Sequence, residues 1–201
     1  MAALLAEANA TKAAFFTNAV DTETYGLDIV VEQDMRISDN MRLANTLSFT
    51  FSQTEVVGTN IPTAIENAGL ADTFFDRTSR IYIESAVPNT QGTLANNLSI
   101  GDKWNIYMRN TYFGNVEEAT NNVDPNVRRT YYGKTITDLS AGYSFSEALR
   151  LTIGANNLLD VYPDKAAEEF RSSGRFIYSR RSKQWGVGGR YLFARVNILL
   201  K

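Results

Sequence analysis

The chain has 201 residues, with 20 basic and 22 acidic side chains and a formal net charge of −2. This balance does not predict a nucleic-acid-binding protein, which needs a concentrated basic face. The sequence contains no His and no Cys, which excludes Ser-His hydrolysis, His-ligated zinc and thiolate metal sites within these residues. We therefore expect no enzymatic activity, no catalytic residue, no metal site and no cofactor.

The N-terminal ten residues, MAALLAEANA, superficially resemble a signal peptide that ends in a small-residue cleavage site. They lack a basic region, and Glu7 interrupts a very short apolar run. We interpret them as a loop or a short helix. No later stretch approaches the roughly 20 consecutive apolar residues that a membrane-spanning helix requires.

An alternation of apolar and polar side chains with a period of two predicts a first strand over residues 22–36. Its apolar positions are Tyr25, Leu27, Ile29, Val31 and Met35, and its polar positions are Asp28, Glu32, Asp34 and Arg36. The turn formers Ser38, Asp39 and Asn40 follow. The second strand, over residues 41–54, alternates Met41, Leu43, Leu47, Phe49 and Phe51 with Arg42, Thr46, Ser48, Thr50 and Ser52.

Residues 55–87 break the alternation, with Gly58, Pro62 and Gly69 among them, and predict a long irregular loop. Within this loop, residues 80–84 are a candidate extended segment. The loop also holds the cluster Phe74-Phe75-Asp76-Arg77.

The same alternation predicts five more strands, over residues 91–100, 103–115, 134–145, 148–159 and 189–200. Tight turns at Gly101-Asp102 and Ser146-Glu147 join two pairs of them. Longer polar loops cover residues 117–132 and 160–188. Short and long connections therefore alternate along the chain.

Seven long antiparallel strands with alternating short turns and long polar loops are typical of a transmembrane β-barrel wall. A spanning strand needs about 9–11 residues, whereas strands of soluble proteins most often have about 5–6. The alternation alone does not separate a barrel from a soluble sheet, because a polar face can meet either a lumen or bulk water. The loop asymmetry and the strand lengths favour the barrel.

The order of several motifs resembles the C-terminal part of a TonB-dependent outer-membrane receptor. These motifs are residues 15–22 followed by Tyr25-Gly26-Leu27-Asp28, residues 80–88, WNIYMRNTYFG at 104–114, LTIGANNLLD at 151–160 and QWGVGGRYLFARVN at 184–197. Each motif is weak alone, but their order and spacing extend over nearly the whole chain.

This resemblance implies a 22-stranded barrel in the bacterial outer membrane, with an N-terminal plug domain in its lumen. Members of the family import iron-siderophore complexes, haem, cobalamin or glycans, and a periplasmic energy-coupling protein pulls on a motif near their N-terminus. Residues 1–201 would supply only about the last seven strands. The expected partners are then the remaining strands, the plug, the outer-membrane lipid and the energy-coupling protein, and the absence of a signal peptide suggests a fragment.

The long loops contain the candidate ligand-binding residues, which are Phe74, Phe75, Arg77, Arg128, Arg175 and Arg180. The phenylalanines could contact a ligand or form a small loop core, and we favour the core. The basic residues of the third loop could attract an anionic ligand or lipopolysaccharide phosphates. A solvated loop balanced by Glu168 and Glu169 is the simpler interpretation.

Amphipathic aromatic rings suit the headgroup level of a membrane. The candidates for such interface belts are Tyr25, Trp104, Tyr112, Tyr143 and Trp185. The leading interpretation is thus the wall of an import receptor. The alternative is a soluble β-rich binding module, for carbohydrate or a similar ligand, with its site on the long loops.

Overall fold

The computed structural model describes residues 18–119 and 128–200, and the N-terminal segment interpreted above lies outside them. The strands are β1 (Val20–Ser38), β2 (Met41–Thr59), β3 (Thr90–Ile100), β4 (Trp104–Phe113), β5 (Val116–Glu118), β6 (Arg129–Tyr131), β7 (Lys134–Ser146), β8 (Leu149–Asn156) and β9 (Tyr191–Ile198). The α-helices are α1 (Thr63–Asn67), α2 (Ala71–Phe74) and α3 (Arg77–Glu84). No helix in the described ranges is both long enough and apolar enough to cross a membrane.

The main sheet is an antiparallel meander of seven strands in the order β1-β2-β3-β4-β7-β8-β9. This confirms the predicted all-β meander of seven long strands. The sheet is open, with β1 and β9 at its edges, and β5 and β6 form a separate two-stranded sheet. Turns of two or three residues connect β1 to β2, β3 to β4 and β7 to β8 at one end of the sheet, here called the turn end. The other end, where the long connections lie, is the loop end.

The strand register joins the apolar positions of all seven strands into one continuous face. One row of paired residues runs from β1 to β9 through Met35, Leu43, Leu98, Ile106, Ala141, Ile153 and Ala194. A one-residue slip at any strand would send its apolar residues to the opposite face. The register therefore specifies a sheet with one apolar wall.

No second layer covers this wall in the described part of the chain. Side chains on it remain open, including Leu27 at 55%, Ile153 at 56% and Leu192 at 70% exposure. The small β5–β6 sheet and the helices lie at the loop end, where the buried residues are found. The apolar wall therefore needs a cover that these residues do not supply.

The opposite face is polar and carries ion pairs between neighbouring strands. Arg42 of β2 pairs with Asp34 of β1. Arg109 of β4 pairs with Asp138 of β7 through an Nη2–Oδ2 contact of 2.6 Å. Adjacent strands therefore match their charges across the polar face.

The loop end differs from its prediction as an irregular region. β2 continues to Thr59, and residues 80–84 belong to α3 rather than to an extended segment. The helix forms there because Asp76 is its N-cap, with its carboxylate accepting the Ser79 N–H at 2.6 Å. The second loop, predicted over residues 117–132, contains the hairpin strands β5 and β6.

Candidate functional site

Three long connections meet at the loop end. They are loop 1 (residues 60–89), loop 2 (residues 114–133) and loop 3 (residues 157–190). Hydrogen bonds and packing connect all three, so the loop end is an ordered assembly in the described part of the chain.

Helix α3 ties loop 1 to the wall and to loop 2. The Glu84 carboxylate accepts the N–H of Val56, near the end of β2, at 3.0 Å. The Tyr82 hydroxyl donates to the Ala119 carbonyl at 2.9 Å, and the N–H of Glu117 donates to the Ser85 carbonyl at 2.7 Å. Loop 1 is therefore fixed through the C-terminal end of the helix.

Glu118 joins loop 2 to loop 3 through a buried carboxylate that is only 4% exposed. Its Oε2 accepts hydrogen bonds from the Tyr131 hydroxyl at 2.9 Å and from the Ser179 hydroxyl at 2.7 Å. Arg180 lies farther away, with its Nε 3.9 Å from Oε1. Burial and the neighbouring Glu118 charge raise the pKa of Tyr131, so the phenol stays protonated and remains a donor.

The hydrophobic centre of the loop assembly is Trp185, which is 2% exposed. Val116, Tyr131 and Ala166 are buried with it, and Phe113 and Phe170 pack against this cluster. Burial of this large aromatic side chain removes a large apolar area from water. The prediction of Trp185 as a membrane-interface residue is therefore wrong.

Loop 3 is anchored to the wall at its start. The Asp164 carboxylate accepts from Lys134 Nζ at 2.7 Å and from the Tyr132 N–H at 2.8 Å. Partial burial opposes ionisation of this carboxyl, but these two hydrogen bonds outweigh it and lower the pKa of Asp164. Asp164 is therefore a charged anchor for loop 3.

Loop 3 and the polar face of the sheet also line an open depression of about 490 Å³. Arg109, Asp138, Gln184 and Trp185 are among its lining residues. The side-chain N–H groups of Gln184 and Trp185 are buried and have no hydrogen-bond partner among the described residues. Buried donors normally have partners, and because these two N–H groups are shielded by this chain, a ligand in the depression would reach them only after a local rearrangement.

The six predicted ligand-binding residues all lie on the loops at this end, and none of them lines that depression. Phe74 and Phe75 are half-buried at the end of α2, and Arg77, Arg175 and Arg180 are exposed. Arg128 pairs with Glu117 at 3.1 Å, and both line a second depression of about 420 Å³. The ligand-binding role of these six residues stays a prediction.

Sequence reasoning missed Glu118 and the role of Trp185. Their importance comes from contacts between loops far apart in the chain, such as the 61-residue separation of Ser179 from Glu118. The short alternation in Val116-Glu117-Glu118, which sends Glu117 and Glu118 to opposite sides, was the available signal.

The other four aromatic residues predicted at membrane interfaces lie near the two ends of the apolar face. Trp104 and Tyr143 pack at the turn end with tilted rings whose centroids are 4.7 Å apart, and the Phe145 ring centroid lies 4.9 Å from that of Tyr143. Tyr25 and Tyr112 occupy the loop end and are 55% and 42% exposed. Their membrane role stays a prediction, but the spacing is that of two girdles.

No protein-family model matches the sequence, and no curated protein matches it significantly. Solved structures do match the chain. A point mutant of the ferric enterobactin receptor of Pseudomonas aeruginosa is 15% identical, with a TM-score of 0.50 over 86% of this chain and 22% of that chain. The outer-membrane ferripyoverdine receptor of the same organism is 13% identical, with a TM-score of 0.52 over 88% of this chain and 19% of that chain.

The chain has the fold of a barrel-wall segment of such receptors. The predicted resemblance to the barrel of a TonB-dependent receptor is thereby confirmed at the level of the fold. Sequence identities of 13% and 15% support a shared fold and do not extend to a shared ligand or activity. The chain spans about a fifth of the length of the receptors it matches.

Proposed function

We propose that residues 1–201 are the C-terminal part of the 22-stranded barrel wall of a TonB-dependent import receptor in a bacterial outer membrane. The observation that carries this proposal is the continuous apolar face, which crosses seven strands and is left uncovered. In water such a face would be a severe aggregation hazard. Hydrocarbon is the cover that matches its size and shape.

The polar face then lines the lumen, and the loop end faces the outside of the cell. Long loops on one side and tight turns on the other are the arrangement of bacterial barrels. The ion pairs of the polar face, such as Arg109–Asp138, suit a lumen that contains water or a plug. Strands and a plug outside this chain complete the barrel and satisfy the hydrogen bonds of the edge strands β1 and β9.

The cargo in this proposal is a bulky nutrient, and the two similar receptors favour a ferric siderophore, since one is named for ferric enterobactin and the other for ferripyoverdine. In this proposal the depression lined by Arg109, Asp138 and Gln184 is a contact for an oxygen-rich ligand, and the Arg109 guanidinium there is already paired with Asp138. The activity is gated passage driven by a periplasmic energy-coupling protein, without covalent chemistry.

Membrane placement is tested with two adjacent cysteines in β8 of the full natural protein. Ile153 lies on the apolar face and Thr152 on the polar face. In outer membranes, we expect Ile153→Cys to react with a lipid-soluble maleimide and to resist a water-soluble one. Thr152→Cys is the matched control, and we expect both residues to react with the water-soluble reagent after unfolding.

Rapid reaction of folded Ile153→Cys with the water-soluble reagent would instead favour the soluble binding module. Import is tested separately by deleting the gene and supplying iron only as one ferric siderophore from a panel. Loss of growth on one siderophore, restored by the gene, supports the proposal. Unchanged growth and uptake across siderophores, haem, cobalamin and glycans contradicts it.

A further inference from the structure

The apolar face contains three adjacent amide side chains that break its pattern. Gln33, Asn45 and Asn96 occupy apolar positions of β1, β2 and β3, and the register places them directly side by side. The Asn45 amide donates to Gln33 Oε1 at 3.0 Å, and the Asn96 amide donates to Asn45 Oδ1 at 2.7 Å. These three residues are called the amide row.

The amide row lies midway between the two aromatic ends of the face. Asn96 pairs with Met108, which is halfway along β4 between Trp104 and Tyr112. About 14 Å of strand therefore separates the level of the row from either aromatic residue. If the proposed membrane placement holds, the row lies near the bilayer midplane, where neither water nor lipid headgroups can satisfy an amide.

The row is only partly satisfied by its own hydrogen bonds. Each side-chain amide has two N–H donors and one carbonyl oxygen, and the two hydrogen bonds use two of the six N–H groups. Asn96 Oδ1 has no partner among the described residues and is buried within this chain, so any contact with a second molecule is made by the other polar atoms of the row. Unsatisfied polar groups in hydrocarbon are costly, and polar side chains inside membranes usually have a specific partner.

We infer that the amide row is a contact surface for a second copy of this chain within the membrane, an inference that rests on the proposed membrane placement. Amides both donate and accept, so the row is complementary to itself. Two copies inserted in the same direction also present their rows at the same depth, and a twofold axis along the membrane normal brings them together. A partner other than a second copy would match only if it happened to carry polar groups at the same depth in the membrane as the amide row.

The surroundings of the row suit such a contact. Val31, Leu47 and Leu94 lie on the same face, one position farther toward the loop end, and are 52%, 44% and 40% exposed. Apolar side chains beside a polar row allow close packing around the central hydrogen bonds. In the neighbouring row, which contains Leu94, the hydroxyl of Thr137 donates to Asn110 Oδ1 at 2.8 Å, so these two polar side chains already share one hydrogen bond.

Cysteine cross-linking tests the inference, since the 201 residues contain no natural cysteine. The full natural protein with Leu47→Cys, beside the amide row, is oxidised in native outer membranes. The matched control is Leu192→Cys, on the apolar face of β9. The strand register places Leu192 in the same row of paired residues as the three amides. We expect a disulfide-linked homodimer with Leu47→Cys and none with Leu192→Cys.

Adding Asn45→Leu and Asn96→Leu to the Leu47→Cys protein should lower the dimer yield about fivefold, the size expected for a side-chain hydrogen bond between membrane segments. Heat-modified mobility on gels verifies that this variant still forms a barrel. If this variant does not form a barrel, the comparison of Leu47→Cys with Leu192→Cys still decides whether a second copy contacts the amide row.

Three results overturn the inference: no cross-link, equal cross-linking at both positions, or a cross-link only to a protein of different mass. Accessibility to the water-soluble maleimide separates the two proposals. Protection of Leu47→Cys without a dimer contradicts only the contact surface. Rapid modification of Leu47→Cys contradicts the membrane placement itself.

Discussion

The guanidinium carbon of Arg181 lies 3.8 Å from the centroid of the Tyr82 ring. This contact joins loop 3 to loop 1 directly, while the Tyr82 hydroxyl reaches Ala119 of loop 2. The Tyr82 side chain of loop 1 therefore contacts both loop 2 and loop 3. Movement of any of the three loops must disturb Tyr82.

Replacement of Tyr82 should release the loop assembly without unfolding the wall. Tyr82→Leu removes both contacts, and we expect it to weaken loop closure by about 1–3 kcal/mol, from a cation–π contact and a hydrogen bond. Tyr82→Phe keeps the ring and should lose less. Amide hydrogen exchange in residues 77–84 measures the effect, with β4 as the internal reference. Equal exchange in both variants and the parent protein would contradict the proposed role of Tyr82.

Glu118 and Glu117 make a matched pair for testing the buried carboxylate. Glu118→Gln loses the charge that holds Tyr131 and Ser179, and we expect it to weaken the β5–β6 hairpin by about 1–3 kcal/mol. Glu117→Gln affects only an ion pair with the partly exposed Arg128, so its effect should be below about 1 kcal/mol. Limited proteolysis across loop 2 compares the two variants. A larger effect from Glu117→Gln would show that Glu118 is not the link between the loops.

Asp164 should make the anchoring of loop 3 sensitive to acid. Its folded-state pKa is lowered, so the stability that it contributes is present above the pKa of the unfolded chain and is lost as pH falls through the folded value. In a Trp104→Phe background, fluorescence of Trp185 between about pH 6 and pH 2 should report this loss. Asp164→Asn should remove the acid transition, whereas Asp72→Asn, at an exposed position of α2, should retain it. The same transition in both variants would assign it to another group.

The seven wall strands could be predicted from sequence because the strand period is local. Each predicted strand overlaps an observed one, and the differences are extensions or losses at the ends, such as β2 continuing to Thr59. The tight turns were predictable for the same reason, since Ser38, Asp39 and Asn40 favour turn geometry at their own positions.

The loop assembly could not be predicted in this way. Helix α3 depends on the Asp76 cap within a stretch that has no helical period long enough to recognise. Burial of Trp185 depends on Val116 and Tyr131, which are more than 50 positions earlier in the sequence. The amide row was also hidden, because each amide is a single exception within its own strand and only the register aligns the three.

The two tryptophans of these 201 residues provide a direct measurement of which end meets the membrane. Trp104 is 48% exposed beside Tyr143 on the apolar face, whereas Trp185 is 2% exposed inside the loop assembly. In vesicles of brominated lipids, we expect the Trp185→Phe protein, which keeps Trp104, to be strongly quenched by bromines near the headgroups and less by bromines at the acyl ends, since interface aromatics lie at the headgroup level. The Trp104→Phe protein should show little quenching from either lipid, because Trp185 would lie outside the bilayer. Strong quenching of Trp185 would place the loop assembly in the membrane and contradict the proposed orientation.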